Sequence, residues 1–290
     1  MMILITGASG NVGSEVLKQA VAAGLKIRAA YQTEQKAAEA PAGVETVLMD
    51  YGKPATIRSA LEGMERVFLV GPPSRDLPAM EANFITAVKS EGGKQHIVKL
   101  SAMGGKDAIF PRQHAESEEN IRASGLRYTF IRPNGFMQNF VNYNSGTISA
   151  QNAFYGCQKD GRVSHVDVRD IAAATVKVLS GPGHEGRAYT LTGPEALSSA
   201  EIAEKFSRHL GRRITYVDLP PAEFRKALSS VGSPEWSADA LIDLMRYYRE
   251  GKAALIDSSL EKLTGRKPHD FDRFIDDYAS AFQARTEAAS

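Results

Sequence analysis

The sequence predicts an α/β fold of the Rossmann type, a doubly wound parallel sheet with a smaller C-terminal α/β lobe. Three observations predict it. Over the first hundred residues, short apolar runs alternate with longer helix-like stretches, the rhythm of strands covered by helices on both faces. A glycine-rich turn, Thr6-Gly7-Ala8-Ser9-Gly10-Asn11-Val12-Gly13, joins the first such run to the first helix. The length of 290 residues exceeds a typical single domain and falls short of two.

The run 3–6 reads as a buried strand, and 14–23 as a helix with Gly24 at its end. Further strands are expected at 26–31, 44–49, 66–70, 97–100 and 128–131. Helices fall between them at 56–62, 79–90 and 116–123, with Gly63, Gly92-Gly93 and Gly125 just past their ends, where glycine most readily takes the left-handed turn that stops a helix. After about Pro133 the rhythm loosens. A helix is expected over 171–179, with Asp170 as its N-cap and Asp167 as a structural hydrogen-bonding residue. A strand at 188–191 follows, then a helix starting at Ser198 or Ser199 with Glu201 behind it. The stretch 221–254 is largely helical, broken at Gly232 and Pro234, and 271–282 reads as a last helix. The expected division is a nucleotide-binding domain over 1–155, to whose sheet 160–192 return, and a mainly helical substrate lobe over 193–290. Ligands of open α/β sheets bind at the carboxyl ends of the strands, so the lobe is expected to close over that edge.

Composition excludes several classes. Lys and Arg number 35 and Asp and Glu 34, a net charge of +1, which gives no general attraction to nucleic acid or anionic lipid. The single cysteine, Cys157, forms no internal disulfide and has no neighbouring His for a metal site. The six His are scattered and no metal site is expected. The basic cluster 208–213 lacks interleaved aromatics and reads as a solvated helix end. No apolar run approaches the roughly 18 residues of a membrane span, and no basic leader precedes the first strand. A cytoplasmic monomer or homodimer with no membrane or nucleic-acid partner is expected.

The glycine loop carries the chemistry. The first glycine permits the tight turn, the second lets the backbone approach a pyrophosphate, and the third lets helix and strand pack closely. The free N–H groups and the helix dipole then face the phosphates, so Gly7, Ser9, Gly10, Asn11, Val12 and Gly13 are candidate dinucleotide ligands.

The spacing G-x-x-G-x-x-G resembles that of the extended and atypical short-chain dehydrogenase/reductases. Arg132-Pro133-Asn134-Gly135-Phe136-Met137-Gln138-Asn139-Phe140 and Val166-Asp167-Val168-Arg169-Asp170-Ile171-Ala172 are similar to segments of their NmrA-like group, in particular its triphenylmethane reductase, azoreductase and quinone reductase-like branch. The resemblance runs over about residues 1–285. It implies that Asp50-Tyr51 approaches the adenine and that Gly71-Pro72-Pro73 lies near the nicotinamide ribose. Ser101 then stands close to the nicotinamide or the acceptor. Met103, Asn134, Phe136, Met137, Asn139 and Tyr143 become candidates for a pocket that takes a small aromatic substrate, although Phe136 and Met137 at this spacing also suit plain core.

The second strand ends Ala29-Ala30-Tyr31-Gln32, with no acid before Glu34 to hold the ribose of NAD or repel a 2′-phosphate. In the resembled family an Arg often stands at Gln32 and a Lys at Lys36. The reading favours NADP(H) over NAD(H), with Gln32 and Lys36 at the phosphate. The family's usual Tyr-x-x-x-Lys proton donor is expected between about 110 and 122, a segment with neither Tyr nor Lys. His114 and Glu118 take the i, i+4 positions there and share a helix face. His114 is either a weak general acid or a solvent-exposed helix residue. Tyr155/Lys159 and Tyr248/Lys252 match the spacing elsewhere, off the expected helix, and are rejected. The missing dyad points to acceptors that are already electrophilic, namely quinones, azo compounds and cationic dyes, with catalysis by proximity and orientation. It also admits a non-catalytic NADP(H) sensor.

Overall fold

The computed structural model describes residues 1–283. The elements run β1 (Met2–Ile5), α1 (Asn11–Ala22), β2 (Lys26–Tyr31), α2 (Glu34–Ala37), β3 (Glu45–Leu48), α3 (Pro54–Leu61), β4 (Arg66–Leu69), α4 (Leu77–Ser90), β5 (His96–Leu100), α5 (Ile109–Ala123) and β6 (Arg127–Pro133). A π-helical turn (Phe140–Asn144) leads into α6 (Ser145–Gln151), β7 (Ala153–Gly156), β8 (Arg162–Val163), α7 (Val168–Ser180) and β9 (Arg187–Leu191). The chain ends with β10 (Leu197–Ser198), α8 (Ser199–Leu210), β11 (Thr215–Asp218), α9 (Pro221–Ser230), α10 (Glu235–Arg249), α11 (Ser259–Thr264), α12 (Phe271–Asp277) and α13 (Ala279–Phe282).

Seven strands form one parallel sheet in the order β3-β2-β1-β4-β5-β6-β9, the expected Rossmann topology. Alternation along β1 explains why its sequence is apolar throughout. Ile3 and Ile5 join Val16, Leu17 and Ile171 under α1 and α7, whereas Leu4 faces Ile57, Phe84 and Ile121 under α3, α4 and α5. The lobe carries a second core. Phe140, Phe154, Phe206 and Phe271 pack largely edge to face at 5.3–6.3 Å between ring centres, around the parallel pair β7 and β11.

Four details differ from expectation. The fifth helix begins at Ile109 rather than 116, because Pro111 falls in its first turn, where proline is tolerated. Helix α7 is capped by Asp167, not Asp170. The Asp167 backbone is extended and its carboxylate accepts the Arg169 N–H at 2.8 Å. Asp170, fully buried, instead accepts from the His269 backbone and imidazole, both at 2.7 Å, and from Arg266. Lastly, the lobe's core takes Met137, Phe140, Ile148 and Phe154 from before residue 155, and α11 returns to pack on α7 and β9.

Candidate functional site

Because the sheet is parallel, the loops that follow β1 to β6 all emerge at one edge. Gly7–Gly13, Gln32 and Lys36, Asp50-Tyr51, Gly71–Pro73, Ser101–Met103 and Asn134–Phe140 therefore gather there. Gly7 turns the chain with φ +60°, a conformation that strains any residue with a Cβ. A Cβ on Gly13 would stand 2.1 Å from the Gly7 carbonyl oxygen, so only glycine lets α1 start this close to the loop. Helix α1 has no side-chain cap and no acid in its first turn. The N–H groups of Asn11, Val12 and Gly13 find no acceptor among the described residues. Such a bare, positively polarised helix end suits a pyrophosphate, so the residues present fit a dinucleotide. Val12 has only its N–H to offer there, since its side chain is buried beneath the loop.

The loop is held from below by a hydrogen-bond knot. Tyr51 Oη donates to the Val70 carbonyl at 2.9 Å and lies 3.1 Å from Thr6 Oγ1, which also accepts the Val70 N–H at 2.7 Å. Burial pushes the Tyr51 phenol far above its ordinary range. Its side chain thus fixes the ends of β1 and β4. The neighbouring Asp50 is half in solvent, holding the Gly52 N–H at 2.8 Å and Lys53 at 3.3 Å. At the end of β2, Gln32 and Lys36 are both exposed, with Thr33 capping α2 between them.

Beneath Gly71 lies a buried charge cluster that the sequence reading missed. A Cβ on Gly71 would stand 2.3 Å from Leu77 Cδ1 and 3.2 Å from Glu81 Oε1. Glu81 pairs with Lys99 of β5, whose Nζ is 2.7 Å from Oε1 and 2.6 Å from Oε2. Lys99 also reaches His114 Nδ1 at 3.4 Å. The ammonium can only donate, so Nδ1 accepts and the ring proton sits on Nε2. Burial first, then the Lys99 charge, hold the His114 imidazole well below its ordinary pKa. His114 is half-buried, not a freely exposed helix residue, and is neutral at pH 7. It offers a hydrogen bond from Nε2 rather than a labile proton. The signal available in the sequence was Lys99 itself, a charge inside an apolar parallel strand, which needs a buried partner.

Ser101 is buried and donates to Glu118 Oε1 at 2.6 Å. Arg132 Nε donates to the same carboxylate at 2.8 Å, and Arg122 reaches it at 2.9 Å. Burial alone would raise the Glu118 carboxyl, but the bonds from Arg132 and Ser101 outweigh it and hold it below the usual range. A cavity of about 140 Å³ opens here between Met103, Gly104, Ala115, Arg132 and Thr190. Met103 is thus at the cavity. Beyond β6 the candidates diverge. Asn134 is buried with its amide fully used, donating to Ser164 Oγ and the Ala253 carbonyl at 2.8 Å each and accepting the Gly135 N–H at 2.9 Å. Met137 lies in the lobe's core, and Phe136 is half-buried against the sheet. Asn139 is half-buried just before the π-helical turn. Tyr143, on that turn, is 79% exposed.

A Rossmann sheet with a bare glycine-framed helix end at its carboxyl edge defines an atypical short-chain dehydrogenase/reductase, an NAD(P)(H)-binding oxidoreductase. The chain belongs to the NmrA-like family, whose model matches residues 1–275. An NAD(P)H azoreductase from Xenophilus azovorans is 36% identical over 286 residues, 98% of this chain and 100% of that protein. Quinone oxidoreductase 2 from Escherichia coli is 31% identical over 273 residues, 91% of this chain and 94% of the relative. The crystal structure of the NADPH-dependent quinone oxidoreductase from Escherichia coli complexed with NADPH matches at a TM-score of 0.88 and 28% identity, covering 96% of this chain and all of that one. Among the described residues, no helix is long and apolar enough to cross a membrane.

Proposed function

We propose that the chain is an NADPH-dependent reductase that delivers hydride directly to an electrophilic aromatic acceptor, a quinone, an azo compound or a cationic dye, as a cytoplasmic monomer or homodimer. The observation that carries this reading is the uncapped start of α1, with three free N–H groups behind Gly7 and Gly10. The dinucleotide, when bound, supplies the hydride. The chain's own residues bind and orient. Asn11, Val12 and Gly13 offer backbone donors to the phosphates, and Gln32 and Lys36 face a 2′-phosphate with no acid at the end of β2 to repel it. Gly71, Pro72 and Pro73 form the floor beside the ribose, and Ser101, held by Glu118, borders the reacting ring. With neither Tyr nor Lys between 110 and 122, an acceptor whose reduced form water can protonate suits the site. The relatives' names support the acceptor class, since they include an azoreductase and a quinone oxidoreductase.

The test is loss of NADPH absorbance with a panel of quinones, azo dyes and triarylmethane cations, with NADH in parallel. Saturable turnover above the enzyme-free rate is expected. Gly10→Asp, which sets a carboxylate where the phosphates lie, should weaken NADPH binding by about 100-fold or more, since it both repels and caps the helix end. Protein that binds NADPH and oxidises none of it with any acceptor would be a sensor, and the reductase reading would be wrong.

A further inference from the structure

We infer that the C-terminal lobe supplies a hydrogen-bond donor to the acceptor: the Tyr248 hydroxyl, with His165 Nε2 beside it, forms a binding site for an acceptor oxygen over Gly135. This rests on the reductase reading and adds to it the atom that holds the substrate.

The fold clears room for Tyr248 twice. Its backbone presses on Gly161, where a Cβ would stand 2.5 Å from the Tyr248 carbonyl oxygen. Its hydroxyl reaches over Gly135, where a Cβ would stand 3.0 Å from Oη and 3.5 Å from His165 Nε2. Gly135 is the second residue past β6, on the edge where the dinucleotide loops gather. Tyr248 belongs to a buried cluster with Ala108, Val163, Tyr247 and Ala253, against which Met103 packs, and its neighbour Tyr247 lies against Gly104. Tyr248 therefore stands between the loops that follow β5 and β6, close to the segment that carries Ser101.

The hydroxyl is uncommitted. Tyr248 is 9% exposed, yet its Oη bonds to no group among the described residues, whereas Tyr247 Oη donates to the Lys252 carbonyl at 2.9 Å. His165 is also 9% exposed, and its Nε2, the ring nitrogen beside Gly135, bonds to no group among the described residues. A hydroxyl and an imidazole nitrogen, both uncommitted and both facing one glycine, mark a place where a ligand's polar atom can bond. Lys252 turns away to Asp107 and Glu250, so Tyr248 works without the Lys of a Tyr-x-x-x-Lys pair. Burial keeps the phenol protonated and the His165 imidazole, held to about 4, uncharged at neutral pH. Neutral groups of this kind suit a carbonyl oxygen on which negative charge grows. On turnover the acceptor gains a hydride, two electrons and one proton, from the dinucleotide, which is oxidised. The second proton comes from water, and Tyr248 keeps its own.

The probe is 4-nitrophenolate, a coloured phenolate that stands for the reduced acceptor's oxyanion, titrated into the full chain with and without NADP+. Wild type should bind it with a shift in its visible band. Tyr248→Phe keeps the ring and should weaken binding by about 10- to 100-fold, the range for a lost hydrogen bond to a charged group. Gly135→Ala, which places a methyl at the same spot, should weaken it comparably. Both should bind NADPH as wild type does and melt within a few degrees of it, and both should raise the KM for menadione. Nitrophenolate binding that is absent in wild type, or unchanged in Tyr248→Phe, would overturn the inference. Wild type that binds nitrophenolate through Tyr248 but oxidises no NADPH would overturn the reductase reading alone.

Discussion

Breaking the Lys99–Glu81 pair should cost far more than deleting it. Both side chains are shielded from water, at 0% and 1% exposure, and the ammonium lies 2.6 Å from the carboxylate. Removing one partner from a buried pair typically costs about 3–5 kcal/mol, because the other charge is left unpaired in a medium of low polarity. Replacing both with apolar groups of similar size is close to neutral. Lys99→Met and Glu81→Leu should each lower the unfolding free energy by about 3–5 kcal/mol, a large part of a typical total of about 5–15 kcal/mol. The double variant should fall within about 2 kcal/mol of wild type. Urea unfolding followed by circular dichroism measures all four proteins. His114 gives a second readout: Lys99→Met removes the charge that helps depress its pKa but leaves the burial, so the imidazole should titrate higher than in wild type and still below its ordinary value. Additive single costs in the double variant, or singles costing under about 1 kcal/mol, would refute the reasoning.

Two further perturbations follow from the same geometry. Burial holds His96 and His165 to about 4 in the folded chain, against an ordinary value near 6.5 when unfolded. The unfolded chain therefore binds more protons between those values, and stability is complete above about 6.5 and lost as pH falls towards 4. From pH 7 to pH 5 each His should cost about 2 kcal/mol, seen as a drop in the urea midpoint, and a flat midpoint over that range would contradict it. Gln32→Arg places a guanidinium at the exposed end of β2 and should lower the KM for NADPH by about tenfold while leaving NADH within twofold. Equal effects on both cofactors would move the 2′-phosphate away from Gln32.

What the sequence made legible was whatever is decided within a few residues. The Gly7–Gly13 turn is local, because a positive φ and a close helix start demand glycine at set positions. The start of α8 is local too: Ser198 and Glu201 form a capping box, each side chain bonding the other's backbone. Asp167 and Asp170, three residues apart, gave no local way to choose the cap; α7 starts at Val168 with Asp167 as its cap, and Asp170, inside the first turn, is held by His269, a residue 99 positions away. The charge cluster was hidden for the same reason. Glu81 and Glu118 read as ordinary helix acids until β5 and β6 bring Lys99 and Arg132 to them. Asn134 was legible as important but not in its task, since its partners Ser164 and Ala253 come from two later segments.

Those partners have a consequence for how the molecule opens and unfolds. The chain crosses between sheet and lobe repeatedly: outward after β6, back for α7 and β9, outward again at β10, back through the strap that Ala253, Leu255 and Asp257 tie to Asn134, Ser164 and Thr192, and outward once more to α12. A body laced in this way has no single hinge about which its halves can swing. A cut near residue 192 would strip the lobe of α8 to α10 while robbing the sheet of α11, so neither fragment keeps its core. Both halves should therefore melt in one cooperative step, and substrate traffic falls to side chains and loops at the cleft.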